Sequence, residues 1–311
     1  MPTDLTVKLL DALDAATGGI HAGFRPAHAR GVMVAGTFAP APAAASLTRA
    51  PHATRPSTPV TVRFSIDSGI PTAAENDPKG AAPQGFAVRF HLAEHVHTDI
   101  IGISFDGFPV RTGEEFLGLL QAVVASGPDA PNPPPIVGFL AAHPAAKAFV
   151  EAVKPIPTSF ARQAYFARTA FKFTNSDGAS RFGRFRISPA AGIEALAPAQ
   201  AARKTTDFLS AELSARLASA PVVFKIVVQV ADAADDVTNA SASWPATRPE
   251  IEFGTLTLTE RVDELAPERR KIIFDPVPRV DGIDSAGDPL TEVRSDLYLA
   301  SGRRRRQAQA Q

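Results

Sequence analysis

The chain of 311 residues contains no cysteine, and this absence excludes several classes of protein. Disulfide frameworks, thiolate zinc sites, iron–sulfur clusters and cysteine nucleophiles all depend on cysteine thiols. Any bound metal must therefore be held by histidine, tyrosine or carboxylate side chains. The chain offers seven histidines and only two tyrosines for that purpose.

The chain also lacks an excess of charge of either sign, because 32 Lys and Arg balance 32 Asp and Glu. No overall field draws it to nucleic acid or to an acidic membrane. No uncharged apolar run reaches the roughly 18 residues that a membrane span needs. The opening MPTDLTVKLL has no basic region followed by an apolar run, which a secretory signal would have. We therefore expect a cytoplasmic protein without nucleic-acid or membrane partners.

Eight segments rich in Val, Ile, Phe and Thr are bounded by Gly, Pro or Asp and indicate β-strands. They fall in two groups of four: 32–38, 59–66, 85–91 and 99–105, then 168–175, 181–187, 222–230 and 252–259. Helical segments lie between and after the groups. This arrangement predicts an α+β fold with an eight-stranded antiparallel barrel in a single domain, residues 1–311, since a closed barrel leaves no exposed strand edge.

The expected helices surround this barrel. They comprise an N-terminal helix within 1–19, a helix capped by Thr112, a short one near 144–153, an Ala-rich one at 198–218, and one from Asp288-Pro289 to about residue 300. The basic tail 303–311, which contains four consecutive arginines, is expected to be solvated and frayed.

Two pairs of residues could carry chemistry. His28 precedes the first strand, and the Ser65 hydroxyl could orient its ring as a base is oriented for catalysis, although a lone His beside a strand is more often structural. Tyr298 lies four residues after Arg294 on a predicted helix, so the two share a face. Tyrosinate is one class of axial haem ligand, and a guanidinium with ferric iron would stabilise it. A simple surface Arg–Tyr contact is the alternative.

The segment HLAEHVHTD brings His91, His95, His97 and Asp99 close together in sequence. Alternation in an extended strand would put three of them on one face, which is typical of a metal site. A polar turn between two strands has the same composition, and we favour that interpretation.

Together these segments resemble the catalase core family, and in particular its small peroxidase members, which lack the outer arms of full-length catalases. The similarity runs in collinear order from about residue 18 to 306. RPAHARGVMVAGTF resembles the distal-histidine segment, VRFS the strand of the orienting serine, and RSDLY the proximal helix. The combined pattern R-x-x-H, R-x-S and R-x-x-x-Y is far more specific than any of its pieces.

The resemblance implies a catalase-like barrel with haem b beside it and a role for each matching residue. His28 would be the distal catalytic histidine, and Ser65 its hydrogen-bond partner. Tyr298 would be the axial ligand of the haem iron, and Arg294 would stabilise it. The cofactor's propionates would be bound by three arginines: Arg25, Arg63 and Arg305.

One departure from the family concerns the Asn that accompanies the distal His. The region after the fourth strand reads GISFDGFPV and has Asp106, or Gly107, near that place. An ionised carboxylate accepts hydrogen bonds and cannot donate one to peroxide. We therefore expect weak dismutation of hydrogen peroxide, with haem binding and peroxidase chemistry less affected.

The resemblance leads to one main functional hypothesis and two alternatives. The main one is a haem b peroxidase that reduces organic hydroperoxides with a small organic electron donor. The alternatives are an isomerase or dehydratase of fatty-acid hydroperoxides and a haem-binding module without turnover. Without the family's outer arms, we expect a monomer or a homodimer.

Overall fold

The computed structural model describes residues 2–77 and 80–308, and its central feature is an antiparallel sheet. Ten strands make up this sheet in the described part of the chain. They are β1 (Gly31–Pro40), β2 (Thr58–Ser65), β3 (Gly85–Ala93), β4 (Val96–Ile103), β5 (Tyr165–Phe166), β6 (Phe171–Thr174), β7 (Ser180–Pro189), β8 (Val222–Val230), β9 (Glu250–Val262) and β10 (Ile283–Ser285).

Eight of these strands close into a barrel. Their order around the ring is β7-β5-β4-β3-β2-β1-β9-β8, and the pairing of β7 with β8 completes it. The strands β6 and β10 extend from β7 as a side branch. The prediction of an eight-stranded antiparallel barrel with flanking helices is confirmed.

Alternation along the strands separates the barrel interior from its outer face. In β2, Val60, Val62 and Phe64 are buried within the main hydrophobic core. The intervening residues of β2, including Arg63 and Ser65, point the opposite way because successive side chains of a strand alternate. This outer face is where the candidate site lies.

The helices pack outside the barrel. They are α1 (Asp4–Ala16), α2 (Ala44–Leu47), α3 (Pro51–Thr54), α4 (Gly113–Val124), α5 (Pro135–Ala142), α6 (Pro144–Glu151), α7 (Pro198–Ala201), α8 (Phe208–Ser219), α9 (Pro267–Arg270) and α10 (Pro289–Ala308). Leu9, Leu10 and Leu13 of α1 form one apolar cluster with Leu297 of α10. This cluster fixes α10 against the rest of the molecule.

Local sequence signals explain several element ends. The Thr112 hydroxyl accepts from the Glu115 amide at 3.2 Å and so caps α4. In the turn between β6 and β7, the Asn175 side chain accepts from the Ala179 amide at 2.9 Å, and Gly178 has φ +82°. Asp288 accepts from the Leu290 amide at 2.9 Å just before α10.

The single helix expected over 198–218 is instead two helices, α7 and α8. The interruption contains Thr205, Thr206 and Asp207, which favour helices weakly. The new helix start at α8 is stabilised from outside, because the Glu75 carboxylate accepts from the Ser210 amide at 3.0 Å. A long-range partner therefore decides where α8 begins.

The strand expected over 168–175 is shorter than predicted, and β6 covers only four of its residues. The side chain of Arg168 donates instead to the carbonyls of Ala240 and Ala242, at 3.1 and 2.7 Å. A separate two-residue strand, β5, supplies the link between β4 and β7.

The expectation of a frayed basic tail is wrong for residues 303–308, because α10 continues through Ala308. Arg304 forms two hydrogen bonds with the Asp14 carboxylate of α1, at 2.5 and 2.9 Å. Arg305 is buried. Tertiary contacts thus extend a helix whose composition alone suggested solvation, while residues 309–311 lie outside the described part.

A search of the described residues for a helix both long and apolar enough to cross a bilayer finds none.

Candidate functional site

The candidate site is built on one row of residues across four neighbouring strands. Strand register places Gly31 of β1 beside Ser65 of β2, Ser65 beside Gly85 of β3, and Gly85 beside Ile103 of β4. Residues in register on adjacent strands point to the same face of a sheet. Ser65 and Ile103 therefore both face outward, and His28 lies next to this row.

His28 and Ser65 meet, as the family resemblance implies. The Ser65 hydroxyl oxygen is 3.2 Å from His28 Nδ1. A Cβ atom at Gly85 would lie 2.5 Å from the Ser65 hydroxyl and 2.8 Å from the same imidazole nitrogen. The pair therefore requires a residue without a side chain at position 85.

His28 is held in an uncommon backbone conformation, with φ +54°. A non-glycine residue in this region persists only where its surroundings over-determine it, as they often do at functional sites. Its amide donates to the Asp67 carbonyl at 3.1 Å. Its ring Nδ1 lies 3.0 Å from the Ile66 carbonyl, which can only accept, so Nδ1 carries the proton and Nε2 is free to act as a base.

The charge state of His28 agrees with this role. Desolvation and the neighbouring Arg63 guanidinium lower the pKa of His28 to about 4. The imidazole is therefore neutral at physiological pH, as an acceptor of protons must be.

The three arginines predicted to bind carboxylates converge beside this pair. Arg63 Nε and Arg25 Nη1 donate to the same oxygen of Glu264, at 2.6 and 2.9 Å. Arg25 and Arg305 both donate to the Ile272 carbonyl, at 3.5 and 3.4 Å. The cluster thus brings together residues that are more than 200 positions apart in the sequence.

This cluster has more positive charge than its own carboxylate can balance. Three guanidiniums face the one bonded carboxylate of Glu264, and Nε of the buried Arg305 has no partner among the described residues. Burial and the Arg63 charge lower the pKa of Arg305 to about 10. Burial alone would raise the pKa of Glu264, but Arg63 and Arg25 bring it below its ordinary value. The cluster is suited to anionic groups.

On α10, the predicted pair is also formed. Arg294 Nε donates to the Tyr298 hydroxyl oxygen at 3.1 Å, and Nη1 donates to Thr169 at 3.1 Å. Arg305 follows Tyr298 by seven residues, which is about two helical turns, so all three side chains lie along one side of α10. The continuation of the helix beyond residue 300 is what puts Arg305 there.

The two halves of the site are electrostatically connected. Among the charges that lower the pKa of His28, after desolvation and Arg63, are Arg25 and Arg294. The α10 guanidinium that bonds Tyr298 is therefore close enough to act on the His28 imidazole. All seven predicted residues belong to one region on the outer face of the barrel.

Asp106 is not where the family resemblance suggested. Its carboxylate is bonded by Arg168 and by Arg186, the latter at 2.8 Å, so both oxygens are engaged in ion pairs. The β4 residue level with Ser65 is Ile103, which contributes only an apolar side chain. The β4 position level with Ser65 therefore holds neither Asn nor Asp.

The HLAEHVHTD segment comprises the end of β3, a two-residue turn at Glu94 and His95, and the start of β4. Asp99 is bonded by Arg89 at 2.9 and 2.7 Å, and His91 Nε2 lies 2.9 Å from the Thr61 hydroxyl. Within residues 2–77 and 80–308, no group of three or more His, Asp or Glu is arranged to hold a metal ion.

A cleft of about 560 Å³ opens at this region and runs along the outer face. Arg25, Gly31, Met33, Glu264 and Arg305 line part of it. Met33 also belongs to an apolar cluster with Ala87 and Ile101 of the neighbouring strands. Haem needs an apolar surface for its ring, cations for its carboxylates and a protein ligand for iron, and the residues present fit those requirements.

Two residues of the region were not predicted from the sequence, Glu264 and Asp67. Asp67 Oδ1 is 3.5 Å from His28 Nε2. A signal for Asp67 existed, since it follows Ser65 by two residues and alternation keeps such residues on one face. No local pattern marks Glu264, whose partners are far away in the sequence.

A family model described as "Catalase" matches residues 23–311. A catalase-related peroxidase of Mycolicibacterium paratuberculosis (strain ATCC BAA-968 / K-10) is 34% identical over 295 residues, covering 93% of this chain and 92% of that protein. A catalase-related peroxidase of Synechococcus elongatus is 29% identical over 301 residues, covering 94% and 86%.

Solved structures are similar in fold. A fungal catalase superimposes with a TM-score of 0.79 at 19% identity, over 91% of this chain and 59% of that one. Catalase A from Saccharomyces cerevisiae gives a TM-score of 0.79 at 18% identity, over 91% and 61%. The chain thus spans about three fifths of the length of these catalases.

Proposed function

The chain belongs to the catalase family, whose members are haem enzymes, and from this premise we propose that it is a haem b peroxidase that reduces organic hydroperoxides with a small organic electron donor. The main support is that a neutral histidine, three arginines and an Arg–Tyr pair come together on the outer face of the barrel, beside a cleft that Arg25 and Arg305 line.

The residues named above would hold the cofactor in separate ways. Tyr298 would bind the iron through its phenolate oxygen, which the Arg294 guanidinium stabilises by hydrogen bonding and charge. Arg25, Arg63 and Arg305 would bind the propionates, whose negative charge balances the excess of the cluster. The bound haem would supply the electrons that cleave the peroxide O–O bond, and an external donor would restore them.

The protein's own contribution to the reaction is proton transfer. Neutral His28 accepts the proton of the hydroperoxide at Nε2, because Nδ1 is occupied by the Ile66 carbonyl. A proton must then reach the departing oxygen, so that an alcohol leaves rather than an alkoxide. Ser65 orients the imidazole and does not itself transfer the proton.

The preference for organic hydroperoxides is supported by the row of residues at His28. Ile103 faces outward level with Ser65, so the space beside the imidazole has an apolar boundary. An apolar side chain can contact an alkyl group of the substrate. It cannot donate a hydrogen bond to a second hydrogen peroxide, which dismutation would require to be held in place.

Two substitutions test this function. We expect Tyr298→Phe to lose haem on purification, as measured by the Soret absorbance per chain, because the phenolate ligand is removed. Tyr165→Phe is the matched control, since the Tyr165 hydroxyl lies in the barrel core and donates to the Phe160 carbonyl. Equal haem content in wild type and Tyr298→Phe would contradict the assignment of the ligand.

We expect His28→Ala to retain haem but to lose about 10²–10⁴-fold in turnover of an alkyl hydroperoxide with an aromatic donor. Ser65→Ala should cost less, because the Ile66 carbonyl still orients the ring. Release of a rearranged product without consumption of the donor would identify an isomerase, and an unchanged Soret spectrum on adding peroxide would identify a binding module.

A further inference from the structure

The carboxyl group of Asp67 lies against His28, the proposed distal histidine. Asp67 Oδ1 is 3.5 Å from His28 Nε2, on the side of the ring opposite to the Ile66 carbonyl. Two backbone hydrogen bonds fix this neighbourhood: the His28 amide donates to the Asp67 carbonyl at 3.1 Å, and the Ala29 amide donates to the Ser68 carbonyl at 2.9 Å. The approach of the two side chains is therefore built into the backbone.

The Asp67 carboxyl is available for chemistry. Half of its side chain is exposed, and it accepts no hydrogen bond from the described residues. Lys154 is the cation that acts on it, but the Lys154 ammonium donates to the Ala152 carbonyl at 3.1 Å and lies 4.5 Å from the Phe149 ring. If Asp67 served only a structural ion pair, a cation would hydrogen-bond its carboxylate, as Arg168 and Arg186 do at Asp106.

The proton affinities of the two groups are reversed from their ordinary order. Desolvation raises the pKa of Asp67 to about 7, although Lys154 acts in the opposite direction. Desolvation, Arg63, Arg25 and Arg294 lower the pKa of His28 to about 4, against the Ile66 carbonyl, which raises it. Between these values the proton of the pair is on the carboxyl, and Nε2 is free.

We propose that Asp67 is a second proton-transfer residue of the distal site and donates the proton to the departing oxygen of the hydroperoxide. This inference rests on the proposed peroxidase function. Two atoms 3.5 Å apart can both reach a bound peroxide at hydrogen-bond distance, about 2.8 Å. The arrangement allows one group to accept a proton while the other donates one.

His28 Nε2 takes the proton from the terminal oxygen of ROOH, and Asp67 protonates the RO oxygen as the O–O bond breaks, so that ROH leaves. The organic donor is oxidised by two electrons; these electrons, which bound haem would relay, and two protons reduce the terminal oxygen to water. The imidazolium then passes its proton across to the carboxylate, which restores both groups.

This assignment predicts the pH dependence of kcat/KM for an alkyl hydroperoxide. Activity should fall as the pH rises through about 7, because Asp67 loses the proton that it donates. It should fall again below about pH 4, where His28 becomes protonated. If His28 were the only acid and base, the pH profile of kcat/KM would show no decrease near pH 7 from these two residues.

The test uses haem-loaded protein and cumene hydroperoxide. Heterolysis of its O–O bond yields 2-phenyl-2-propanol, whereas homolysis yields a radical that fragments to acetophenone. We expect Asp67→Asn to lower kcat/KM by about 10–100-fold, to raise the share of acetophenone and to remove the limb near pH 7. Asp67→Glu should restore part of each property, and Asp129→Asn, on an exposed loop, is the matched control.

A second readout does not depend on turnover. In infrared spectra of the resting haem-loaded protein, the wild type should contain a carboxylic acid C=O band that disappears with a midpoint near pH 7. Asp67→Asn should lack this band, and Asp129→Asn should retain it. Persistence of the band in Asp67→Asn would show that another carboxyl titrates there and would overturn the inference.

The outcomes separate this inference from the proposed function. If His28→Ala is impaired while Asp67→Asn keeps the wild-type rate, product ratio and pH profile, the peroxidase assignment holds and the role of Asp67 is wrong. If the wild type neither binds haem nor consumes hydroperoxide, the proposed function is wrong. The role of Asp67 in that reaction is then also wrong, even if the infrared band is present.

Discussion

At the scale of single residues, the row through Gly31, Ser65, Gly85 and Ile103 governs what can approach His28. The two glycines leave room for the Arg63 side chain and for the Ser65–His28 pair. Ile103 closes the row with an apolar side chain. The site therefore combines a neutral imidazole that can accept a proton with few hydrogen-bond donors for a second peroxide.

This row yields a prediction about the balance between dismutation of hydrogen peroxide and peroxidase turnover. Ile103→Asn introduces an amide donor level with Ser65, and a preorganised donor to a reacting oxygen can be worth more than tenfold in rate. We expect oxygen release from hydrogen peroxide to rise about tenfold, while haem content is unchanged. Oxygen-electrode measurements on haem-normalised protein would check this.

The matched control is Ile103→Leu, which keeps the position apolar and should leave oxygen release at the wild-type level. Asp106→Asn should not increase it, because Asp106 is engaged by Arg168 and Arg186. Equal oxygen release from Ile103→Asn and wild type would mean that this position does not face the bound peroxide.

Residue-scale predictions from the sequence succeeded where the partners are close in sequence or carried by a motif. Arg294 and Tyr298 are four residues apart on a helix, so their contact follows from helical geometry. Contacts of Glu264 with Arg25 and of Asp67 with His28 depend on how distant segments meet. No local pattern marks Glu264. Alternation could have placed Asp67 on the same face as Ser65, but it does not show that His28 lies there, and both acidic residues were missed.

At the scale of elements, α10 carries the residues that we propose to bind the haem iron and a propionate. Its face presents Arg294, Tyr298 and Arg305 within three turns. The end of this helix is stabilised by the bidentate pair between Arg304 and Asp14 of α1, where the Asp14 side chain is buried. The position of Arg305 therefore depends on the contact between Asp14 of α1 and the last turns of α10.

We predict that Arg304→Ala loosens the last turns of α10. The loss of charged hydrogen bonds to a buried carboxylate should lower the free energy of unfolding by about 1.5–3 kcal/mol, and haem should dissociate faster because Arg305 is no longer held. Urea denaturation and the rate of haem transfer to an apo-acceptor protein would measure the two effects.

Arg303→Ala is the control, since Arg303 is exposed and should change the free energy of unfolding by less than about 0.5 kcal/mol. Asp14→Ala combined with Arg304→Ala should be less harmful than the sum of the two single changes, because they share one interaction. Additive effects would contradict the pairing.

The same elements show why some boundaries could not be read from the sequence. Caps such as Thr112 and Asp288 are local, and the helices that they start were predicted. The start of α8 and the end of α10 are set by Glu75 and Asp14, which lie elsewhere in the chain. Composition alone therefore suggested one continuous helix in the first case and a frayed tail in the second.

At the scale of the whole molecule, the barrel is a rigid support whose outer face carries the site and whose interior must remain closed. Its core includes the Phe90 and Phe253 rings, and the ring of His52 from α3 packs against them at 4.6 Å and 5.5 Å between centroids. The His52 side chain is 1% exposed, and its Nδ1 has no partner among the described residues. A charge at this position would be unsolvated.

We therefore predict that His52 makes the barrel sensitive to acid. Burial and then the Arg55 charge lower the pKa of His52 to about 3 in the folded state, whereas the unfolded chain has a value near 6.5. Because the unfolded state binds the proton first, the free energy of unfolding falls as the pH drops below 6.5 and continues to fall toward pH 3. At pH 5 the loss is about 2 kcal/mol relative to neutral pH.

The measurement is urea denaturation at pH 7 and pH 5 for the wild type, His52→Leu and His95→Leu. The packing cost of His52→Leu is present at both pH values, so the difference between them isolates the effect of the proton. We expect this difference to be about 2 kcal/mol smaller in His52→Leu than in the wild type. It should be unchanged in His95→Leu, because His95 is almost wholly exposed. If His52→Leu lost as much stability as the wild type between pH 7 and pH 5, the proton would be taken up elsewhere, and the acid sensitivity of the fold would belong to the surface rather than to the barrel interior.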